Sequence, residues 1–333
     1  MSLSEEDIIN ILKESNLPGD IVGIGDDCAV IPKNKNISWL ISNDALAEDV
    51  HFSLNTITAY ELGIKSVKVN ASDIAAMGAT PKFIFVACAI PQNIDNSFIK
   101  NLIDGIKQQC KNYNIYLLGG DTTASKSKLF ISITIMGESE SKKIKYRSSA
   151  KIGDYICITG NPGLSAAGLD LVSNKIMRKE KEENDLIQSH ISPYIYINES
   201  NFLANFSEVK AMIDCSDGLN RDLTRICEQS NCSANINLEK IPVDKNLLKV
   251  CQKNNSDLNR YLLSGGEDYY LIFTINSNFY EKISKEYLSK FNKKFYKIGE
   301  IVKKKGKLIS YFQNEIEYKN PYEDFDHFRN FVA

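Results

Sequence analysis

Apolar residues recur along the chain at two spacings, which predict its helices and strands. Near the start, Ser4 and Asp7 form a capping-box pattern, and the apolar residues that follow lie on one face of a helix. The same spacing predicts further helices at 58–77 and 98–110, the first of which ends at Gly78. Apolar runs and alternation predict strands at 37–42, 83–90, 116–118 and 129–136. Asn43-Asp44 should follow the first of these strands, and Gly119-Gly120-Asp121 should follow the third.

The pattern breaks near Ser148–Gly153, where a basic stretch ends and a new strand begins. This break predicts two domains, residues 1–148 and 149–333, each long enough to bury a core. The second half alternates between strands and helices, with strands at 155–159, 211–215, 269–274 and 295–301 and helices after Gly163 and at 217–228. Both halves therefore fit an α/β fold.

Composition and charge exclude several classes of protein. The chain has 333 residues, with 40 Lys and Arg against 42 Asp and Glu, so its net charge is −2 and offers no general attraction to nucleic acid or anionic membranes. The longest apolar run, Phe83–Ile90, is far shorter than the roughly 20 residues of a membrane span. The start has no secretory signal, and the eight cysteines form no CxxC pair, so we expect a cytoplasmic protein with reduced thiols.

Carboxylates recur where apolar segments meet turns containing Gly, Ser or Asn. They are Asp26, Asp27, Asp44, Asp73, Asp121, Asp214, Asp217, Glu267 and Asp268. If these turns converge at one edge of the fold, the repelling charges would need cations, and oxygen-rich sites suit Mg²⁺. Singly, each residue is better explained as a turn former or helix cap, and Asp217 is placed to cap the helix beginning at Gly218.

Missing motifs narrow the chemistry. The sequence has no GxxxxGK[ST] loop, no protein-kinase HRD or DFG motif, no GxSxG and no HExxH, and GIGDDC lacks the third glycine of a dinucleotide fingerprint. A nucleotide site would therefore depend on metal ions and backbone amides. His51 is either a packed residue or a functional one beside the Asp44 segment, and Arg147 is either a solvated residue or a phosphate ligand.

Eight segments in order resemble the thiamine-monophosphate kinase family of the PurM-like superfamily, which includes aminoimidazole ribonucleotide synthetase. They are GIGDDCAV, SNDALAEDVHF, VNASDIAAMGATPK, LLGGDTT, YRSSAKIGDYICITG, IDCSDGL, LSGGEDYYLIFT and DFDHF, and they span residues 20–328. The resemblance implies a two-domain α/β (α+β) fold. In it, the mostly antiparallel N-terminal sheet pairs across a homodimer, and the site lies in the cleft between the domains.

The resemblance also implies the reaction in which ATP and thiamine monophosphate give ADP and thiamine diphosphate. It assigns several Mg²⁺ ions to Asp27, Ser42, Asn43, Asp44, Asp73, Asp121, Asp214 and Asp217. ATP would contact Gly120, Asp121, Arg147 and Ser216, and thiamine monophosphate would contact His51, Glu267 and Phe325. Because the acceptor phosphate is already ionised, we expect direct in-line transfer with no general base and no phosphoenzyme.

Three positions depart from the family pattern. Asn43 replaces a usual Thr, Asp49 replaces a usual Gly, and Ile103 stands where an aromatic side chain often packs against adenine. Two alternatives remain open: another ATP-dependent synthetase of the superfamily, or a non-catalytic nucleotide-binding regulator. The position of Cys28 within GIGDDCAV and the C-terminal Ala333 both weigh against the selenophosphate and hydrogenase-maturation relatives.

Overall fold

The computed structural model describes residues 4–13, 16–177 and 183–322. Its first half contains the helices α1 (Glu5–Leu12), α2 (Ala59–Ala76) and α3 (Asn96–Tyr113). The strands of this half are β1 (Ala29–Pro32), β2 (Ile37–Ala47), β3 (Thr80–Pro91), β4 (Tyr116–Ser125) and β5 (Phe130–Glu140). The capping box predicted for α1 is present, with Ser4 and Asp7 each bonding to the other's backbone N–H.

The five strands form one sheet in the order β1-β2-β5-β3-β4. Every neighbouring pair is antiparallel except β3 and β4, so the prediction of a mostly antiparallel sheet is confirmed. Helix α2 packs on β2 and β5, and α3 packs on α2. A capping box of Thr58 and Glu61 starts α2, and most of its residues are buried because both halves of the molecule surround it.

Strand β4 forms the edge of this sheet and is exposed along nearly all its length. Tyr116, Leu117 and Leu118 are exposed by 67%, 42% and 55%. Phe85 and Phe130, on β3 and β5, are also exposed. An apolar edge strand of this kind is a template for pairing with another chain.

The second half contains seven more strands and seven more helices within the described residues. The helices are α4 (Leu164–Val172), α5 (Asn184–Ile191), α6 (Ile197–Ala204), α7 (Leu219–Gln229), α8 (Lys245–Asn254), α9 (Leu258–Ser264) and α10 (Tyr280–Phe291). The strands are β6 (Asp154–Ile158), β7 (Val209–Asp214), β8 (Cys232–Asn237), β9 (Leu271–Asn276), β10 (Tyr296–Lys303), β11 (Ile309–Gln313) and β12 (Ile316–Tyr318). Their sheet has the order β12-β11-β8-β10-β6-β9-β7, and only β8 and β11 are parallel.

The two sheets share one hydrophobic core, which runs from Cys28 in the first half to Tyr311 in the second. Helix α2 lies at their junction and packs on β7, α5 and α6 as well as on its own sheet. All eight cysteines are free thiols, and seven are buried. Among the described helices, none has both the length and the apolar character that crossing a membrane requires.

The structure corrects the predicted position of three carboxylates. Asp44 lies within β2 and Asp121 within β4, where strand pairing continues past the predicted ends. Asp217 does not cap α7, which begins at Leu219 after Gly218. The carboxylate of Asp222 instead accepts hydrogen bonds from the backbone N–H groups of Asp217 and Gly218.

Candidate active site

Carboxylates from three separate segments meet at the junction of the two sheets. Asp27 precedes β1, Asp73 lies in the last turns of α2, and Asp214 ends β7. Their potential ligand oxygens all lie within 4.8 Å of one another. The structure therefore brings together three of the carboxylates that the sequence predicts as metal ligands.

Burial and mutual repulsion raise the pKa values of the carboxyl groups in and beside this cluster. The pKa of Asp73 is raised well above its ordinary value by burial and by the charges of Asp44, Asp214 and Asp27. Burial, followed by Asp27, also raises the pKa of Asp214. Burial raises the pKa of Asp44 to about 6, with contributions from Asp217 and Asp27. Because these pKa values are raised, a bound cation would stabilise the ionised form of the carboxyl groups.

Hydroxyl groups and an amide hold the cluster in place. Ser72 Oγ donates to Asp214 at 2.5 Å, and Ser42 Oγ donates to Asp73. The backbone N–H of Asp44 donates to Asn70 Oδ1 at 3.0 Å. Ser42, predicted as a metal ligand, thus lies beside the cluster, where its hydroxyl supports a carboxylate.

Arginines neutralise the rim of the cluster. Arg147 Nη2 lies 2.5 Å from Asp27 Oδ1, and its Nε donates to Asp27 Oδ2 at 3.3 Å. Burial, followed by the Asp27 charge, raises the pKa of Asp26 to about 7, while Arg147 opposes this shift. Arg225 joins Asp217 and Asp222, with both distances 2.7 Å. Asp222 and Arg225 were not among the sequence-predicted residues, because such pairs emerge only from the fold.

Two predicted ligands lie elsewhere. The Asn43 amide donates to Ser132 and Thr134 on β5, so it lies on the sheet face opposite Asp44. Asp121 is exposed on β4, and cross-strand pairing aligns it with Ala87, Ser132 and Ala45. It is therefore three strand spacings, about 14 Å, from β2 and also on the face opposite Asp44. Within one chain neither side chain joins the carboxylate cluster.

The packing of β4 against β3 explains why a glycine precedes Asp121. Gly120 has φ +150°, and a Cβ there would collide with the carbonyl oxygen of Val86 on β3. The glycine is required for close strand packing, whatever part it has in the ATP contact that the family resemblance implies.

The predicted substrate residue His51 follows β2 in a tight turn. Its Nδ1 accepts a hydrogen bond from the backbone N–H of Ala47 at 3.1 Å, which leaves the ring proton of a neutral histidine on Nε2. The same turn places Asp49 at φ +66°, a conformation that favours glycine, and pairs it with Lys128. Asp49 therefore adopts a glycine-favoured backbone conformation, and its side chain forms an exposed ion pair.

The loop between α9 and β9 carries Glu267 and runs beside the loop that carries Ser216. The backbone N–H of Glu267 donates to the Ser216 carbonyl oxygen at 2.7 Å. Ser216 is partly buried next to Asp217 and Asp214. Phe325, the third predicted substrate residue, lies outside the described residues. Ile103, at the predicted adenine position, is 40% exposed on α3.

The donor set fits Mg²⁺. The ion prefers carboxylate and hydroxyl oxygen, and the cluster offers several oxygens from independent, rigid elements. Among the ion pairs described above, only that of Arg147 with Asp27 brings a positive charge to the three carboxylates of the cluster. The cluster therefore has more carboxylates than cationic partners. A divalent cation would supply the missing positive charge.

The fold and this site define a two-domain protein of the AIR synthase related class. The family model described as "AIR synthase related protein, N-terminal domain" matches residues 25–139. The model for the C-terminal domain of the same class matches residues 151–310. More particularly, the chain belongs to the thiamine-monophosphate kinase family.

Relatives cover most of the chain. A thiamine-monophosphate kinase of Buchnera aphidicola from Acyrthosiphon pisum is 40% identical over 298 residues, 87% of this chain and 90% of that protein. The Haemophilus influenzae enzyme of the same name is 35% identical over 334 residues, 99% of both chains. A solved structure described as AaThiL complexed with AMPPCP and TMP is 29% identical, has a TM-score of 0.84, and matches 98% of this chain and 99% of that one.

Proposed function

We propose that this protein transfers the γ-phosphoryl group of ATP to thiamine monophosphate, giving thiamine diphosphate and ADP. The observation that carries the proposal is the junction of Asp27, Asp73 and Asp214, whose ligand oxygens lie within 4.8 Å of one another. The names of the relatives, and the AMPPCP and TMP in the AaThiL complex, support the same reaction.

The residues of the cluster fit a metal-assisted transfer between two phosphates. Asp27, Asp44, Asp73 and Asp214 would hold Mg²⁺, with Asp217 at the rim for a further ion. Bound Mg²⁺ would neutralise the repulsion between the donor and acceptor phosphates. The chain itself needs to supply position rather than a base, because the acceptor oxygen is ionised at neutral pH.

Arg147 and Ser216 are placed to meet the ATP phosphates. The guanidinium of Arg147 already forms a fork on Asp27, and the same planar geometry suits a phosphate. His51 would donate from Nε2 to the acceptor phosphate, because its Nδ1 is occupied by Ala47. Glu267 would meet the opposite, organic end of the acceptor, since a carboxylate repels a phosphate.

We also propose a homodimer that pairs along the first sheet. The exposed apolar side chains of β4 support it, as do Phe85 and Phe130 on neighbouring strands. Such pairing would put Gly120 and Asp121 at the interface between two copies. We further place the domain boundary between residues 148 and 149, in the segment that separates the two family-model matches.

The proposal is tested by measuring ADP release from Mg-ATP with thiamine monophosphate, with thiamine, and with no acceptor. We expect ADP and thiamine diphosphate, identified by mass, only with the monophosphate. Thiamine should react far more slowly, because it leaves the phosphate-binding groups unpaired. ATP binding without ADP release under every condition would contradict the proposal and favour a nucleotide-binding regulator.

A further inference from the structure

Lys65 and His190, from two different elements, hold the carboxylate of Glu267. Its Oε1 lies 2.9 Å from Nζ of Lys65 on α2, and its Oε2 lies 3.3 Å from Nδ1 of His190 on α5. The Lys65 side chain is only 1% exposed and that of His190 only 8%, whereas that of Glu267 is 27% exposed. Both oxygens are therefore anchored from the protein side, and part of the carboxylate remains open to solvent.

The backbone around Glu267 is fixed as well. Tyr269 N–H donates to the Cys215 carbonyl at 2.9 Å, next to the Glu267–Ser216 bond. The Asp268 carboxylate accepts from the N–H groups of Gly163 and Ser165 at 2.5 and 2.8 Å, at the start of α4. Glu267 itself has φ +63°, a sparsely populated conformation for a residue other than glycine. Strain of this kind persists only where the surroundings fix it, so the loop presents Glu267 in one position.

We propose that Lys65 and His190 are positioning residues that hold Glu267 as an oriented, ionised acceptor for the organic end of the phosphorylated substrate. This inference rests on the proposed function. An ionised carboxylate only accepts hydrogen bonds, so it selects a cation or an N–H donor and repels a phosphate. In thiamine monophosphate the cationic thiazolium carries the phosphoethyl chain, and the aminopyrimidine, whose exocyclic amine is an N–H donor, forms the end remote from the phosphate. The ion pair with Lys65 thereby helps to set the orientation in which thiamine monophosphate binds.

The charges that face Glu267 keep it ionised. Burial alone would raise its pKa, but Lys65 and then His190 lower the pKa below its ordinary value. The other titratable groups that interact with it are Asp268 and Tyr269, in its own loop. Without Lys65 the largest influence that lowers this pKa would be lost, so the pKa of Glu267 should rise.

The experiment compares two lysines on the same helix. Lys65→Met keeps the length and apolar stem of the side chain but removes its charge. Lys68→Met is the matched control, because Lys68 is one turn away and its Nζ donates to oxygens of Ser192 and Pro193. For Lys65→Met we expect the KM for thiamine monophosphate to rise on the order of tenfold, the loss of one charge-assisted hydrogen bond. The KM for ATP should stay within about twofold, as should both KM values of Lys68→Met.

A pH profile separates positioning from a merely structural role. Between about pH 5 and 7.5 the phosphate of the substrate and carboxyl groups of the site also titrate, so the readout is the ratio of the variant's KM for thiamine monophosphate to that of the wild type. For Lys65→Met this ratio should rise as the pH falls, because Glu267 has lost the cation that favours its ionised form. Lys65→Arg keeps the positive charge and should give a ratio that does not change with pH.

The outcomes distinguish the two proposals. If the wild type releases no ADP with thiamine monophosphate, both fail together. If the wild type turns over but Lys65→Met raises the two KM values equally, or behaves like Lys68→Met, only the positioning role is overturned. If Lys65→Met yields no folded protein by circular dichroism, His190→Asn removes the anchor on the other oxygen. It should raise the KM for thiamine monophosphate but not for ATP, and an unchanged KM would overturn the inference.

Discussion

At Asp44 we expect the charge of the side chain to matter more for activity than its size. It lies within β2, and the charges of Asp217 and Asp27 contribute to the raised pKa of its carboxyl. Asp44→Asn keeps the size of the side chain and removes its charge. We expect ADP release with thiamine monophosphate to fall by roughly 100-fold or more, because in the proposed mechanism this charge helps to hold the cation that neutralises the phosphates.

The same substitution should leave the fold intact, because it removes one of several repelling charges. Asp104→Asn is the control, since Asp104 is an exposed carboxylate on α3. Its activity should equal that of the wild type. Near-normal turnover by Asp44→Asn would remove Asp44 from the metal site.

Asp268 gives a pH-dependent prediction at the level of one residue. Burial raises its pKa to about 7, even though three backbone N–H groups at the start of α4 oppose the shift. The folded state therefore binds this proton more tightly than the unfolded state, whose carboxyl has a pKa near 4. The stability that this carboxyl contributes is fully present below about pH 4 and is lost as the pH rises to about 7.

Asp268→Asn removes that titration. The free energy of unfolding of the variant, relative to that of the wild type, should increase from pH 5 to pH 8, because only the wild type loses stability in this range. Urea unfolding at both pH values measures the difference. A constant difference would contradict the assigned direction of the Asp268 pKa shift.

At the level of elements, the pairing of β3 with β4 depends on Gly120. A Cβ at this position would collide with the Val86 carbonyl oxygen, whereas one at Gly119 would make only ordinary contact, 3.6 Å from Phe85. Gly120→Ala should lower the free energy of unfolding by about 3 kcal/mol or more, and Gly119→Ala by about 1 kcal/mol or less. Denaturant unfolding of the two variants tests this, and equal losses would mean that β4 shifts to accommodate the methyl group.

Elements were predictable wherever burial on one face leaves a regular apolar pattern. Helices α2 and α3 show such a pattern and were predicted to within a few residues. Strands β2 and β4 extend beyond prediction because Asn, Asp and Gly are poor strand formers, and pairing with neighbours overrides that tendency. The short strands β11 and β12 were missed, since three to five residues leave too little pattern.

The residues of the candidate site were predictable only in part. Its carboxylates stand in recognisable segments, but their partners depend on contacts between distant parts of the chain. Arg147 lies 120 residues from Asp27, and Lys65 meets Glu267 from the other half of the molecule. No local spacing encodes these pairs, because only the tertiary fold brings their partners together.

At the scale of the whole molecule, the exposed edge of the first sheet predicts the state of assembly. We expect a dimer by light scattering coupled to size-exclusion chromatography. Leu118→Lys puts a charge on the exposed strand and should give a monomer, because charged edges resist pairing. Leu288→Lys, at a 40% exposed leucine on α10, should remain dimeric. A wild-type monomer, or a dimer that survives Leu118→Lys, would contradict pairing along β4.

Helix α2 belongs to both halves at once. Besides carrying Asp73, it contacts the second half through the side chains of Lys65, Lys68 and Ser72, which bond to Glu267, Ser192 and Asp214 respectively. Its Ala75 carbonyl oxygen also accepts a hydrogen bond from Ser200. Neither half can lose its native packing without exposing this helix to the solvent. Two sheets that look like separate folding units should therefore melt in one transition, with equal calorimetric and van't Hoff enthalpies. The backbone amides of α2 should be among the last in the molecule to exchange with deuterium.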